Sequence, residues 1–316
     1  MATTNNITTT FAGEAARDYL TAALLTGNTL ANNLITIKPN IKFKHALRRA
    51  DSTAGIADAS CDFSATGTVT LDERSLEPKE LQVNKQFCKD DFQSDWDAMS
   101  MGISAHDKLP PNFQSFIIEH HVKLVSRQTE IDIWQGTATA GSFIGLETRM
   151  LTEADQPTAQ EVTGTGLTAA NIIAEMRKVV DATPTRLKSL DDFRIYIPVS
   201  AKTFYIQALG GFGASGLGAN GIQGNGSMWF QNGPLTIDGF QIEVAHGMSD
   251  DVMIAGPKSN FFFGTGLMND QNMVKILDMA DIDLSQNVRL GMRYTAATQI
   301  AFGGDVITYG IVNGSN

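Results

Sequence analysis

The feature that most constrains the fold is one long amphipathic stretch near the middle of the 316-residue chain. Between residues 112 and 135, Phe113, Ile117, Leu124 and Ile131 recur at steps of four and seven, as they would on one face of a helix. A helix of about 22 residues is roughly 33 Å long. We therefore predict a rod that spans a whole domain, with Leu124 and Ile131 facing a sheet.

This helix also carries two histidines and three acids, which raises the question of a metal site. A carboxylate-bridged di-iron site needs Glu-x-x-His pairs, because that spacing puts both ligands on one helical face. Neither Glu119 nor Glu130 has a histidine three residues later. His120 and His121 are adjacent and so point about 100° apart. We expect no metal here, and a structural helix whose exposed face is solvated or contacts another subunit.

The remaining patterns mix helices and strands and predict an α+β chain. An amphipathic helix is predicted at 14–26, a basic extended segment at 34–50, and a helix from an N-cap at Thr168 to Pro184. Ser200 is a candidate cap for a short helix that follows the strand RIYIPV. Asp238-Gly239 between two alternating runs predicts a hairpin. Further strands are predicted at 252–256, 260–264, 273–277, 288–302 and 305–312.

Composition and charge exclude several classes of protein. With 42% hydrophobic and 18% charged residues the chain is globular, and its apolar runs are too short for a membrane helix. Its first residues also lack the features of a signal peptide, so we expect no membrane partner and synthesis in a cytoplasm. A net charge of −10 argues against a surface devoted to nucleic acid, which needs Lys and Arg to replace counterions.

A glycine-rich segment is the one match to a cofactor motif. GFGASG at 211–216 fits Gly-x-Gly-x-x-Gly, but a dinucleotide site needs a strand before the motif and a helix after it. Here a predicted helix precedes it, and 210–226 contains eight glycines. We interpret the segment as a flexible loop without a cofactor, and a nucleotide-binding oxidoreductase is the alternative. No motif joins a nucleophile to a base, so no catalytic residue is assigned.

The two cysteines could be paired. A hairpin from 61 to 88 that turns at Arg74 and Ser75 would place Cys61 opposite Cys88, within reach of a disulfide. A reducing cytoplasm favours the alternative of two free thiols.

Charge is distributed unevenly along the first third of the chain. Residues 51–97 hold eleven acids against four bases. The segment before them lacks the Trp or Tyr on which single-stranded nucleic acid would stack, so we expect it to contact an acidic surface of another copy of the chain. Its basic side chains, with no acid between them, are Lys38, Lys42, Lys44, Arg48 and Arg49.

Taken in order, these features resemble the major capsid protein of tailed bacteriophages, the Hong Kong 97-type coat. The resemblance runs from about Phe11 to Tyr309 and rests on the order of its parts. These are TVTLDERSLEPKELQVNKQFC (68–88), the long helix ending in IWQG (133–136), FIGL (143–146), the stretch from Met253 to Gly266, and the late VRLGMRYTAATQIAF.

The resemblance implies five regions. They are an N-terminal arm (1–37), an extended loop that reaches over a neighbouring subunit (38–72), a peripheral domain with a spine helix at 113–135 (73–159), an axial domain (160–286), and C-terminal strands that return to pair beneath the spine helix (287–316).

The implied function is structural. Many copies would form the hexamers and pentamers of an icosahedral head around double-stranded DNA, in a virion assembled in the host cytoplasm. A portal protein and decoration proteins would be partners. Only some 35 residues precede the extended loop, so scaffolding, if any, is expected from a separate protein. An encapsulin-like nanocompartment shares the fold and is the alternative. No catalytic, cofactor or metal residue is implied.

Overall fold

The computed structural model describes residues 27–52, 55–56, 58–59, 61, 65–88, 111–209, 235–266 and 275–311. The predicted helix at 14–26 and the glycine-rich segment at 210–226 lie outside these residues, as does the GFGASG motif.

Helices and strands alternate along the described chain. The helices are α1 (Asn28–Ala31), α2 (Pro111–Gln135), α3 (Leu146–Met150), α4 (Ile172–Ala182), α5 (Thr185–Lys188), α6 (Val199–Leu209) and α7 (Ala280–Asp283). The strands are β1 (Thr36–Lys38), β2 (His45–Ser52), β3 (Val69–Leu76), β4 (Lys79–Cys88), β5 (Glu161–Val162), β6 (Phe193–Ile197), β7 (Leu235–Ile237), β8 (Phe240–Val244), β9 (Met253–Pro257), β10 (Phe261–Gly264), β11 (Lys275–Asp278), β12 (Asn287–Ile300) and β13 (Ile307–Tyr309).

The first sheet is organised around β12, the longest strand. Its neighbours follow the order β1-β10-β12-β11, and β4 pairs antiparallel along β12 from Cys88 opposite Asn287 to Lys79 opposite Ala296. Alternate residues of β12 are buried, as expected of a strand with one face on a core. These buried residues include Val288, Leu290, Met292, Tyr294 and Ala296.

Helix α2 packs its apolar stripe into the same core as β12, and the predicted long helix is confirmed. The stripe consists of Ile118, Val122, Val125 and Ile133, spaced by three or four residues or their multiples. The prediction that Leu124 faces the sheet is wrong, since Leu124 is 49% exposed. Ile131 is only partly buried. Two apolar stripes lie side by side on this helix. The stripe through Val125 lies in the core, whereas the stripe through Leu124 reaches the core at Ile117 but not at Leu124.

The second sheet has the order β5-β13-β9-β6-β8-β7 and forms a separate core with α4 and α6. The predicted hairpin is confirmed: Asp238 and Gly239 both have positive φ, at 47° and 88°, as a two-residue type I′ turn requires. Helix α4 begins at Ile172, because Thr168 belongs to the preceding turn, where Asn171 Oδ1 accepts its N–H. Ser200 is no cap, since it lies within α6 and its hydroxyl donates to Asp250.

The strands do not divide between the two sheets at residues 286 and 287, as the implied regions require. β10 and β11 precede that boundary but belong to the first sheet. β13 follows it but pairs with β5 and β9 in the second sheet. Of the two strands described after residue 286, β12 packs in one core with the long helix and β13 does not. Sequence pattern identifies a strand, whereas its partner depends on long-range packing.

The two sheets are joined tightly at the end of α2. Gln135 Nε2 donates to the carbonyl of Gly247 (2.8 Å), and a Cβ at position 247 would lie 2.0 Å from the carbonyl oxygen of Glu130. Glycine is therefore required at this close approach. The buried Glu130 carboxylate accepts the N–H and hydroxyl of Thr29, which fixes α1 on the long helix.

Candidate functional site: the β2–β3 hairpin

Strands β2 and β3 form a two-stranded sheet of their own, and among the described residues neither strand pairs with a strand of the two larger sheets. The register runs from His45 opposite Leu76 to Ser52 opposite Val69, with Arg48 opposite Glu73. Directly paired residues point to the same face, and successive pairs point to opposite faces. The hairpin therefore has two distinct faces, and they have different surroundings.

The inner face packs on the body of the subunit near the root of the hairpin, whereas Asp72 and Thr70 further out on this face are exposed. Leu47 and Leu76 are buried on this face, and the side chain of Gln299 donates to the carbonyl of Ser75 (2.7 Å). The guanidinium of Arg49 lies 4.7 Å from the ring centre of Phe302, at the distance of a cation–π contact. The root of the hairpin is thus fixed to the end of β12.

An ion-pair cluster strengthens this root. Arg74 donates to both carboxylate oxygens of Glu153, at 2.5 Å each, and also to Asp155. The hydrogen bond to Glu153 is the main cause of the raised pKa of Arg74. Bidentate pairing fixes the direction of a guanidinium as well as its position. The cluster therefore sets the angle at which the hairpin leaves the subunit.

The outer face is uncovered, and it carries exposed apolar side chains beside the Arg48–Glu73 pair. Val69 is 70% exposed and Leu71 is 77% exposed, and Ala50 stands opposite Leu71 on β2. Further along the hairpin Ile56 is 95% exposed. Contiguous exposed apolar side chains on a soluble subunit mark a surface for association.

The basic run is placed on and beside this hairpin, and part of it is paired within the chain. Lys44 lies 3.0 Å from Glu77, and Arg48 lies 3.2 Å from Glu73. All four of these side chains are more than half exposed, so each pair contributes little to stability. Lys42 is exposed as well. Acids of the neighbouring segment thus form ion pairs with Lys44 and Arg48 inside one subunit. Contact of these bases with other copies stays a prediction.

The hairpin predicted between the two cysteines is wrong. β3 pairs with β2 and β4 pairs with β12, so Arg74 lies within a strand and Cys88 faces Asn287. Cys61 is exposed in the segment between β2 and β3, and both thiols are free. Alternating segments fit any strand with a matching face, and β12 offers β4 a buried face that β3 does not.

The histidines of α2 contact each other and their own helix. Their rings are 5.6 Å apart, edge to face, and His121 Nδ1 lies 2.8 Å from the carbonyl oxygen of Ile117. Within the described ranges, no group of three or more His, Cys, Asp or Glu side chains could hold a metal ion. Among those residues, too, no helix is long and apolar enough to cross a membrane.

Sequence reasoning missed two residues that organise the site. Arg74 has no pattern to distinguish it from other strand arginines. Lys79, three residues beyond β3, donates to the carbonyls of Ala138, Thr139 and Ser142 and ties the loop after α2 to β4. The sequence signal for this role of Lys79 is weak, because it consists only of a lysine that follows Glu77-Pro78 at the start of a strand.

Comparison with known proteins identifies the fold. No protein-family model matches the sequence, and a search of curated proteins finds no significant match. Solved structures do match. A chain from the capsid of a native GTA particle has a TM-score of 0.58 at 11% identity, covering 98% of this chain and 95% of that one.

Two phage structures give the same result. For the capsid of Myoviridae phage XM1 the TM-score is 0.55 at 11% identity, with 90% and 91% of the two chains covered. For the capsid of cyanophage A-1(L) it is 0.54 at 12% identity, with 92% and 93% covered. The α+β fold of phage capsid proteins, and with it the resemblance seen in the sequence, is thereby confirmed.

Proposed function

We propose that this chain, which has the fold of phage capsid proteins, is a major capsid protein. In this proposal its copies form the hexamers and pentamers of an icosahedral head that encloses the double-stranded DNA of a tailed phage. The observation that carries the proposal is the two-faced hairpin: one face is anchored to the subunit, and the other presents apolar side chains that the subunit leaves in water. Such a hairpin is useful only if another molecule covers it.

A second copy of the chain is the natural cover. Residues 38–72, the extended loop of the proposal, would lie over a neighbouring subunit, with Val69 and Leu71 against its surface. The cations at Lys42, Lys44, Arg48 and Arg49 would supply charge complementarity, since each copy carries 34 acids against 24 bases. The exposed pairs of Arg48 and Lys44 can exchange partners at little cost because they are weak.

The other regions take their roles from the same proposal. Residues 73–159 form the peripheral domain with its spine helix, residues 160–286 supply the axial domain, residues 1–37 the arm, and residues 287–316 the closing strands. β10 and β11 extend the peripheral sheet from within the axial range. A portal protein, and separate scaffolding or decoration proteins, are the further partners of a virion assembled in the host cytoplasm.

Electron microscopy of the purified full chain tests the proposal. Closed shells of uniform diameter are expected, with their hairpins ordered between subunits. Nuclease-protected DNA in shells from infected cells would support a phage head, whereas shells filled with protein would favour a nanocompartment. A chain that stays monomeric at every concentration would refute a capsid function. Stabilisation by dinucleotides in a thermal-shift assay would instead favour the oxidoreductase.

A further inference from the structure

Gly291 lies inside β12, where a glycine weakens a strand because it costs backbone entropy and offers no side chain to pack. Its φ is not in the left-handed region, and β4 pairs along β12 through this position without a bulge. Within the described chain, an added Cβ would meet no atom nearer than the amide oxygen of Asn84, at 3.8 Å. Neither the backbone nor the packing of the subunit therefore requires this glycine. The close approach of another backbone or a ligand is the remaining reason for a glycine in a strand.

Gly291 is the floor of a positively charged patch on the face of the first sheet that points away from α2. The residues before and after it pack into one core with that helix, so Gly291 faces the other way. Arg289 and Arg293 lie two residues to either side and share this outer face. Lys275 and Asn84 pair with Gly291 on the neighbouring strands, and all four side chains are exposed. We call these five residues the Gly291 patch.

The two arginines of the patch are held only weakly within the subunit. Arg293 lies 3.8 Å from Glu80, and the two side chains are 64% and 66% exposed. Arg289 donates its Nε–H to the neutral amide oxygen of Gln86 at 2.9 Å. Asp283 is near enough to attract Arg289, but it is also exposed. Exposed contacts of this kind contribute little to stability, so both guanidinium groups can take new partners at little cost.

We propose that the Gly291 patch binds the acidic end of the β2–β3 hairpin, residues 50–73, of a second copy of this chain. Residues 50–73 contain five Asp or Glu and no Lys, Arg or His, so this segment has the charge that complements the patch. Asp58, within the segment, is exposed. The choice of a second copy rests on the proposed capsid function, in which the hairpin lies over a neighbouring subunit.

The spacing of the charges agrees with this contact. Asp58 and Asp62 are four residues apart, as are Arg289 and Arg293. Four residues of extended chain span about 13 Å, so two carboxylates can meet two guanidinium groups when the segment lies along β12. The residue midway between the two acids is a serine, which would then lie over the glycine. Two small residues let the backbones approach closely.

The patch and the hairpin root of one subunit are separate surfaces. The root lies near the far end of β12, where Arg74 donates to the carbonyl of Ile300. That carbonyl is seven residues beyond Arg293, which is about 23 Å along the strand. One subunit can therefore offer its hairpin to one neighbour and its patch to another.

The test uses full-length chains. Gly291→Val places a branched side chain, of a kind that favours strands, on the floor of the patch. Gly166→Val is the matched control, because an added Cβ at position 166 would also find open space within the described chain. Thermal unfolding of dilute, unassembled subunits is compared with self-association measured by analytical ultracentrifugation and electron microscopy.

The proposal predicts opposite effects of Gly291→Val in the two measurements. The free subunit should melt no lower than the wild type, because valine suits a strand better than glycine does. Association should need about tenfold or more higher concentration, as expected when a central contact of an interface is blocked. Gly166→Val should associate at the wild-type concentration.

An exchange of charges tests the identity of the partner. The pair Asp58→Lys and Asp62→Lys should weaken association, and so should the pair Arg289→Glu and Arg293→Glu. The four substitutions together should recover most of the lost association, because the reversed charges again attract each other and residues in contact are energetically coupled. No recovery in the fourfold variant would overturn the inference.

Other outcomes would also overturn the inference and are separable from failure of the capsid function. Shells that form at the wild-type concentration with Gly291→Val would remove the inference and leave the capsid function intact. A free Gly291→Val subunit that melts below the wild type would show that the subunit itself fills this space. Binding of a DNA fragment that is lost on reversal of both arginines, with association unchanged, would assign the patch to phosphate instead. Small wild-type oligomers without shells would count against the capsid function, while the charge exchange on those oligomers still decides the inference. A monomeric wild type refutes both.

Discussion

Two antiparallel strand pairs in this molecule are built from similar residues but lie in different surroundings. In the β4–β12 pair, Val288 and Leu290 are 0% and 1% exposed beneath α2. In the β2–β3 pair, Val69 and Leu71 are 70% and 77% exposed. The strand geometry and the side-chain types are alike, so the difference lies in what covers them. The subunit provides a helix for one pair and nothing for the outer face of the other.

This difference has an energetic meaning. Full burial of a Val or Leu side chain stabilises a fold by about 1.5–3 kcal/mol, and the hairpin forgoes that gain on its outer face. An isolated two-stranded hairpin is marginal in water. The hairpin therefore depends on its inner face, where Leu47, Leu76 and the Arg74 cluster hold its root. Stability is concentrated at the root, and the outer face is left for association.

The largest expected effect comes from a substitution in the core beneath the long helix. Trp134 is fully buried, donates its Nε1–H to the hydroxyl of Thr29, and packs against Tyr196 at a ring distance of 5.4 Å. Trp134→Ala should lower the free energy of unfolding by about 3–5 kcal/mol, as large-to-small core changes do. Urea denaturation followed by circular dichroism measures this loss. Leu124→Ala, on the exposed side of the same helix, should cost less than about 1 kcal/mol. Equal losses would mean that the exposed stripe is also core.

The contrast between Trp134 and Leu124 shows where sequence reasoning stops. The long helix, the late strand β12 and the Asp238-Gly239 hairpin were predictable because their signals are local: a helical period, a strand period and a turn dipeptide. Which of two neighbouring apolar stripes faces the core is decided by the sheet below it, and no local pattern contains that information.

Strand pairing shows the same limit. The segments of β3 and β4 are adjacent in sequence, and the simplest prediction pairs them, with Cys61 opposite Cys88. Each instead pairs with a strand further away. Similarly, the positions of Lys44, Arg48 and Glu73 on one hairpin could not be read from composition, although the uneven charge of the region was visible.

The second test targets the hairpin root. Arg74→Gln removes the bidentate pair with the buried carboxylate of Glu153. We expect a loss of about 1.5–3 kcal/mol in the free energy of unfolding, the range for hydrogen bonds to charged groups. Arg48→Gln removes an exposed pair with Glu73 and should cost less than about 1 kcal/mol. If both variants lose the same stability, the root is no stronger than the outer part of the hairpin, and the comparison drawn above fails.

The third test measures how the protonation of a buried acid, Asp132, affects stability. Asp132 of α2 is buried, and desolvation is the main cause that raises its pKa. Between the ordinary Asp pKa of about 3.9 and the raised pKa of the folded protein, the Asp132 carboxyl is therefore protonated in the folded state and ionised in the unfolded state. Stability contributed by this group falls as pH rises through that window. Asp132→Asn should flatten this part of the melting temperature profile measured between pH 4 and 7.

The exposed acid of the same helix gives the opposite sign. A hydrogen bond from Lys123 lowers the pKa of Glu119, so its contribution is present above the unfolded pKa and is lost as pH falls through the folded pKa. Glu119→Gln serves as the control, and it should leave the Asp132 window unchanged. A wild-type profile that rises across that window and is unaltered by Asp132→Asn would show that Asp132 is ionised in the fold.

The smallest expected effect on the subunit is the one that bears most directly on function. The double substitution Val69→Ser and Leu71→Ser changes side chains that the subunit leaves in water, so the free energy of unfolding should shift by less than about 0.5 kcal/mol per site. Association should fail or need a much higher concentration, because these residues are the large exposed apolar side chains of β3 on the outer face. Thr70→Ser, on the opposite face of the same strand, is the control for handling and strand propensity. Thermal unfolding of free subunits and electron microscopy of concentrated samples separate the two effects. A subunit destabilised by about 2 kcal/mol or more would show that the chain itself covers this face. Normal shells from the double variant would show that the exposed hairpin surface is not used in assembly, and the contrast between the two strand pairs would then have no functional meaning.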